Sequence, residues 1–261
     1  MLSRLVRQIL QATVYDVAIE TPLEAAPRIS EKLNNHIRFK REDLQPVFSF
    51  KLRGAYNRIS QLSKAQLERG VITASAGNHA QGVALSGQKL GIRAIIVMPK
   101  TTPDIKVQAV KRLGGEVVLH GDSFDVANKY AIARAQDEGM TFIPPYDDEL
   151  VMAGQGTIAN EILRQWRDVE YVFVAVGGGG LIAGVAAYLG DVAPHVKVVP
   201  VEYEESACLK AAFEANERVI LPQVGLFADG TAVAQIGEKP FEVLQLQRSD
   251  ASGPIVERDV V

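Results

Sequence analysis

Lys51 lies in Val47-Phe48-Ser49-Phe50-Lys51-Leu52-Arg53-Gly54-Ala55, between aromatic and aliphatic neighbours, with a serine before it and a glycine soon after. A lysine amine is a useful nucleophile only when its pKa is lowered, and apolar surroundings disfavour the ammonium form. Such a lysine suits a covalent bond to an aldehyde cofactor. The same residues also suit a lysine that snorkels from a half-buried helix start. Two glycine-bearing turns bear on the choice. Gly177-Gly178-Gly179-Gly180-Leu181 follows a very apolar run and opens a helical pattern. Glycines admit close backbone approach, and a helix N-terminus offers unpaired N–H groups with partial positive charge, a site for an anion such as phosphate. The spacing does not match the dinucleotide fingerprint. Ser75-Ala76-Gly77-Asn78-His79-Ala80-Gln81-Gly82 likewise joins a strand pattern to a helix pattern. Ser75 and Asn78 put short hydrogen-bonding side chains where open α/β sheets bind ligands. Asn78 also reads as a turn residue tolerating a left-handed conformation. His79 reads as a packed or capping histidine, since no carboxylate partner is apparent.

The elements that must carry these residues alternate. Val71–Ala74 reads as a strand, followed by a helix over about 80–90 that stops at Gly91. Next come a strand at Ala94–Met98 and a helix over 104–113, with Thr102 as cap and Pro103 in the first helical position. Glu116–Leu119 is a strand, and Asp122-Ser123 caps a helix to about Glu138. Thr141–Ile143 precedes a Pro144-Pro145 break and a helix from about Thr157 to Arg167. Tyr171–Val176 and Val196–Val201 are further strands, flanking a small-residue helix. Continuous apolar strands separated by helices imply parallel strands covered on both faces, hence a doubly wound α/β fold. Earlier, His36–Lys40 alternates polar and apolar residues, which predicts a short strand at or near a sheet edge with one face buried.

Composition bounds the function. The chain has 261 residues, 47% of them hydrophobic and 23% charged, enough for a sizeable core and two lobes. A net charge of −3 gives no electrostatic footprint for nucleic acid or an acidic membrane. No apolar run approaches the roughly 18 residues of a membrane span. The N-terminal segment reads as an amphipathic helix rather than a signal peptide. One cysteine, Cys208, excludes an intramolecular disulfide, fits a reducing compartment and reads as a small buried hydrophobe. The expected location is cytoplasmic.

Taken together, Lys40-Arg41-Glu42-Asp43, the Ser49–Ala55 segment, Ser75–Gly82 and Gly177–Leu181 resemble the pyridoxal-phosphate enzymes of the tryptophan-synthase-β type. Gln45-Pro46-Val47-Phe48 and Gly225-Leu226-Phe227-Ala228-Asp229-Gly230 are similar to the biosynthetic branch of the threonine ammonia-lyases (threonine dehydratases). The resemblance covers about residues 10 to 243. It implies a two-lobed fold with a smaller lobe over roughly 48–150, pyridoxal 5'-phosphate as cofactor, and deamination of L-threonine to 2-oxobutanoate in isoleucine biosynthesis. Lys51 would hold the cofactor and, once released, take the Cα proton. Gly177, Gly178, Gly179, Gly180 and Leu181 would seat its phosphate, and Asn78 would bond its ring hydroxyl. Ser75, Ala76, Gly77 and His79 would bind the substrate. Racemising relatives often carry serine where this chain has Ala76, so elimination without racemisation is expected. Related alternatives are an L-serine dehydratase or another β-elimination or β-replacement enzyme. In another class stands an inactive fragment that associates with a full-length subunit. Intact family members form homo-oligomers.

The likeness stops near Glu242-Val243. Residues 244–261 have no sustained helical period and read as a non-family tail on a truncated catalytic domain, without the isoleucine-sensing regulatory domain. Exposed apolar surface and an unpaired strand edge are expected to follow. Glu202-Tyr203-Glu204-Glu205 reads as a solvated acidic loop to which no metal is assigned.

Overall fold

A computed structural model describes residues 2–225, 227–248 and 254–255. In chain order the helices and strands are α1 Leu2–Leu10, β1 Leu23–Ala25, α2 Pro27–Leu33, β2 Arg38–Lys40, α3 Lys51–Ile59, α4 Lys64–Arg69, β3 Val71–Ala74 and α5 Asn78–Leu90. They continue with β4 Ala94–Met98, α6 Asp104–Arg112, β5 Glu116–Leu119, α7 Phe124–Glu138, β6 Thr141–Phe142 and α8 Glu149–Gln165. The last are β7 Tyr171–Ala175, α9 Gly180–Val192, β8 Lys197–Val201, α10 Cys208–Ala215 and α11 Glu238–Leu246.

Strands β3 to β6 form one parallel sheet in the order β5-β4-β3-β6. Because side chains alternate along a strand, its unbroken apolar runs feed two cores. Val71, Ala94, Ile96 and Met98 join α3, α5 and α6 residues on one face, while Ile72, Ala74, Ile95 and Val97 meet Ala127, Ala131 and Ala135 of α7 on the other. A second parallel pair, β7-β8, lies against a separate core built from α1, α8, α9, α10 and α11. Doubly wound α/β architecture is therefore what the alternation of strands and helices produces.

Several elements differ from the sequence-based expectation. Helix α8 starts at Glu149 rather than near Thr157, capped by Asp148, whose Oδ1 accepts from Leu150 N at 2.8 Å and Val151 N at 3.1 Å. Gly154 and Gly156 hid this start, since glycine weakens a helix pattern. Packing demands them: a Cβ on Gly154 would stand 2.6 Å from Arg53 O, where α3 crosses α8. Pro103 takes the cap position before α6, and Thr102 makes no side-chain cap. Strand β2 pairs antiparallel with β1 in a separate ribbon. Its buried side is the inverse of the expected one: Phe39 is 50% exposed, and Lys40 turns inward to Glu161.

Strand β7 is covered on one face only. Val174 is buried, whereas Tyr171 and Phe173 stand 54% and 66% exposed with ring centroids 6.5 Å apart. Among the described residues no strand pairs with the free edge of β7. The far edge of β8 receives Ile255, fully buried, with Val198 N bonded to Pro254 O at 2.9 Å. Of the stretch 244–261, residues 244–246 complete α11, and 249–253 and 256–261 lie outside the described residues. Glu202 is buried rather than solvated, because its carboxylate accepts from Leu209 N at 2.8 Å and Lys210 N at 2.9 Å at the start of α10. Burial raises its pKa despite those bonds.

Candidate active site

Lys51 is the first residue of α3, and its amide donates to Ser49 Oγ at 3.3 Å. The turn before it is built by Gln45, whose carbonyl accepts from Phe48 N at 2.7 Å. It leaves Phe48 at a φ of +56° and 78% exposed, a strained conformation for an aromatic residue. Helix α5 comes close enough that a Cβ on Gly82 would sit 3.1 Å from Leu52 N and Cα, so that glycine admits α5 beside the lysine. The Lys51 amine donates to Pro145 O at 3.1 Å and stands 5.4 Å from the Phe50 ring centroid. Burial lowers its pKa from 10.5 to about 8. A place in the first turn adds to this in kind, because the positive end of a helix disfavours a cation.

The peptide from Ile143 to Tyr146 brings the three sequence motifs together. Ile143 O accepts from Thr73 Oγ1 at 2.8 Å and lies 3.0 Å from His79 Nε2. Pro145 O takes the lysine amine, and the next residue, Tyr146, fills the space beside the glycine run. A Cβ on Gly178 would fall 2.2 Å from the Tyr146 ring, and Gly179 takes a φ of +88°. A side chain would clash with the ring at the first position and be strained at the second. On its other side the run is clasped by the segment before α11: Gly237 N donates to Gly178 O at 3.1 Å, and Thr231 lies against Gly177. Cys208, fully buried, donates from Sγ to Gly177 O at 3.4 Å. Burial pushes its thiol up to about 12, which agrees with a packed rather than reactive cysteine.

Helix α9 begins at Gly180 with Gly179 as its cap, so the amides from Gly180 to Ile182 precede the first intrahelical bond, Ala183 N to Gly179 O. In the Ser75–His79 turn, Ser75 Oγ accepts from Gly77 N at 3.3 Å, Asn78 is exposed, and a Cβ on Gly77 would meet nothing within 4 Å. The turn thus borders open space. His79 is different: it is 3% exposed, its ring is bonded to Ile143 O, and its Nδ1 is buried without a partner. Burial and then the Lys51 charge lower its pKa to about 3, so the imidazole is neutral. Sequence reasoning missed Thr73, Pro145 and Tyr146. The Pro144-Pro145 pair was visible only as a break, and nothing local says what its carbonyls accept.

Two residues beyond Lys51, Arg53 is fully buried in a network of charges. Its guanidinium meets Glu42 through two bonds of 2.8 Å and Glu161 at 2.5 and 3.1 Å. Thr157 Oγ1 and Ile19 O complete its partners at 3.1 and 3.2 Å. Lys40 Nζ reaches Glu161 at 2.6 Å, and Tyr15 donates to the same carboxylate at 2.8 Å. Burial works against the Arg53 charge, but the two carboxylates hold its pKa above the usual arginine value.

An aldehyde that carries a phosphate fits these residues. The amine has a reduced hold on its proton, a glycine-lined helix N-terminus suits the anion, and the Ser75–Asn78 turn faces open space. Comparison with known proteins agrees. Residues 14–257 match the family model described as pyridoxal-phosphate dependent enzyme. A threonine dehydratase of Nicotiana attenuata is 59% identical over 236 residues, 90% of this chain and 39% of that protein. A biosynthetic L-threonine dehydratase of Haemophilus influenzae is 56% identical over 241 residues, 92% of this chain and 47% of that one. The solved processed form of threonine deaminase isoform 2 from Solanum lycopersicum superposes with a TM-score of 0.92 at 53% identity, covering 94% of this chain and 71% of that one. The chain thus spans less than half the length of the curated relatives it matches.

Proposed function

The chain belongs to the pyridoxal-phosphate dependent enzymes, and on that premise we propose that it deaminates L-threonine to 2-oxobutanoate and ammonia, as a lyase of isoleucine biosynthesis. The observation that carries this reading is the Lys51 amine. It is held near a pKa of about 8 and linked through Pro145 and Tyr146 to the glycine run. Lys51 would hold pyridoxal 5'-phosphate covalently, with the amides of Gly177, Gly178, Gly179, Gly180 and Leu181 about its phosphate and Asn78 at its ring hydroxyl. When bound, the group makes the substrate Cα–H acidic by drawing the electron pair into its ring. Lys51 supplies the base: as a free amine it takes the Cα proton, and the β-hydroxyl leaves. The resulting aminocrotonate tautomerises and is hydrolysed to the 2-oxo acid and ammonia.

Ser75 and Gly77 would cradle the substrate carboxylate, in a turn already braced by their mutual bond. Ala76 has no acid to deliver a proton to the opposite face, so epimers should not form. For His79 the bond to Ile143 O supports a role in bracing that peptide, not in touching substrate. The catalytic unit is taken as 1–243 with a smaller lobe over roughly 48–150, and the four-stranded sheet at 71–142 supports that division. A cytoplasmic setting and homo-oligomerisation belong to the same proposal; the single, reduced Cys208 suits the first. Among the described residues no helix is long and apolar enough to cross a membrane.

The test is an absorbance spectrum with pyridoxal phosphate, beside Lys51→Ala, followed by turnover of L-threonine and L-serine. The expected outcome is a lysine-adduct band in the wild type only, 2-oxobutanoate formation exceeding pyruvate formation, and no D-threonine or D-serine. A strong preference for serine would transfer the assignment to an L-serine dehydratase. A second reading, an inactive chain that associates with a longer subunit, is favoured by the exposed Tyr171 and Phe173. It requires that neither band nor product appear.

A further inference from the structure

We infer that Asp147 is a positioning residue for the phosphate seat: by capping α11 from a distant segment it holds the Gly237 amide on the Gly178 carbonyl, and so fixes the direction of the Gly179 amide. The role rests on the seat proposed above for Gly177 to Leu181. Asp147 Oδ2 accepts from Glu238 N at 3.0 Å and Oδ1 from Lys239 N at 2.9 Å, 91 and 92 positions along the chain. Both oxygens thus take free amides of the first turn, where a carboxylate also meets the positive end of the helix. A cap residue of its own is denied to α11. Position 237 is glycine, and a Cβ there would stand 2.9 Å from Pro240 and 3.0 Å from the Tyr146 ring. The cap has to arrive from elsewhere, and it comes from the residue after Tyr146.

Three contacts join the start of α11 to the glycine run. Gly237 N donates to Gly178 O at 3.1 Å, and Ile236 and Pro240 close on Gly179, where a Cβ would fall 2.5 Å from the first and 2.9 Å from the second. Among the described residues no peptide bond is cis, and in a planar trans peptide the carbonyl and the following N–H point in opposite directions. Holding Gly178 O on Gly237 therefore aims the Gly179 N–H away from it. Gly178 and Gly179 are buried, yet neither amide has an acceptor among the described residues. Buried amides without a partner are costly, and an anion satisfies them. Asp147 sits one residue beyond Tyr146, whose ring lies against Gly178, and two beyond Pro145, which accepts from Lys51. One short segment thus touches both the amine and the run that would seat the phosphate.

The test uses the purified chain, with Lys51 adducts trapped by borohydride and counted by mass spectrometry at rising concentrations of pyridoxal phosphate and of pyridoxal, which lacks the phosphate. Asp147→Ala should lower the preference for pyridoxal phosphate over pyridoxal roughly five- to tenfold, the weight of a lost cap, and leave half-saturation by pyridoxal unchanged. Asp147→Asn keeps one acceptor oxygen and should fall between; it carries the test if the alanine variant does not fold. Ser63→Ala, which removes the side-chain cap of α4, is the control: it should cost similar stability and leave the preference at the wild-type value. No loss of preference in a folded Asp147 variant, or an equal loss in Ser63→Ala, would overturn the role. Hydrogen exchange of the cofactor-free chain separates this role from the seat itself. Asp147→Ala should speed exchange in both 237–239 and 178–181, and a change confined to 237–239 would also overturn it. A wild-type chain that takes pyridoxal as readily as pyridoxal phosphate would sink the seat, while the exchange result still decides whether Asp147 holds the run.

Discussion

Below a pH of about 8 the Lys51 ammonium works against the fold, because burial lowers its pKa from 10.5 to about 8. The unfolded chain then binds more protons than the folded one between these two values, so stability rises with pH across that window. Lys51→Met is therefore expected to stabilise the chain by about 2–3 kcal/mol at pH 7, a gain that fades as pH rises toward 10. Urea unfolding at a series of pH values checks this, and a gain independent of pH would contradict it. The apolar neighbours of Lys51 and the serine before it suggested a lowered pKa but fitted a snorkelling lysine as well, and the family resemblance rather than the segment singled it out. What was not legible is its resting partner. Pro145 lies 94 positions away, and a carbonyl acceptor leaves no mark on sequence. His79 was placed among substrate contacts by resemblance, yet its buried ring reaches Ile143 O, as the packed-histidine reading had it.

At the scale of elements, the glycine run shows what local signals can and cannot say. Its four glycines after an apolar strand announced a tight, anion-competent helix start, and α9 begins there. The reason for glycine at position 178 is tertiary: the Tyr146 ring occupies the place of a side chain. Gly178→Ala should cost about 2–3 kcal/mol through overpacking, and Gly178→Ala with Tyr146→Ala should recover part of it, as read from urea midpoints. An additive double variant would show that the ring is not the obstacle. Strands β3, β4 and β5 were legible to the residue, since unbroken β-branched runs bounded by turn residues have few other outcomes. The start of α8 was not, because Gly154 and Gly156 serve helix crossings with α3, α1 and α9 rather than local propensity. The alternation of β2 was legible, but not which of its faces turns inward.

At the scale of the whole molecule, an apolar face of β7 stands open among the described residues. Tyr171 and Phe173 project from the free edge strand β7, in line with the expectation of an exposed face and an unpaired edge. Phe173→Lys should lower concentration-dependent association in light scattering while leaving the melting temperature within a few degrees; unchanged association would place the sticky surface elsewhere. By itself the sequence determined the alternation of strands and helices, the α/β class and a glycine-opened helix start after an apolar strand, because period, turn chemistry and apolar neighbours act over a few residues. Only the tertiary structure decided how those parts meet. Arg53 finds Glu42 across 11 positions and Glu161 across 108, and one four-residue peptide, Ile143 to Tyr146, touches all three motifs. Such contacts are selected by the free energy of packing and of pairing buried charge, which depends on where distant segments come to rest.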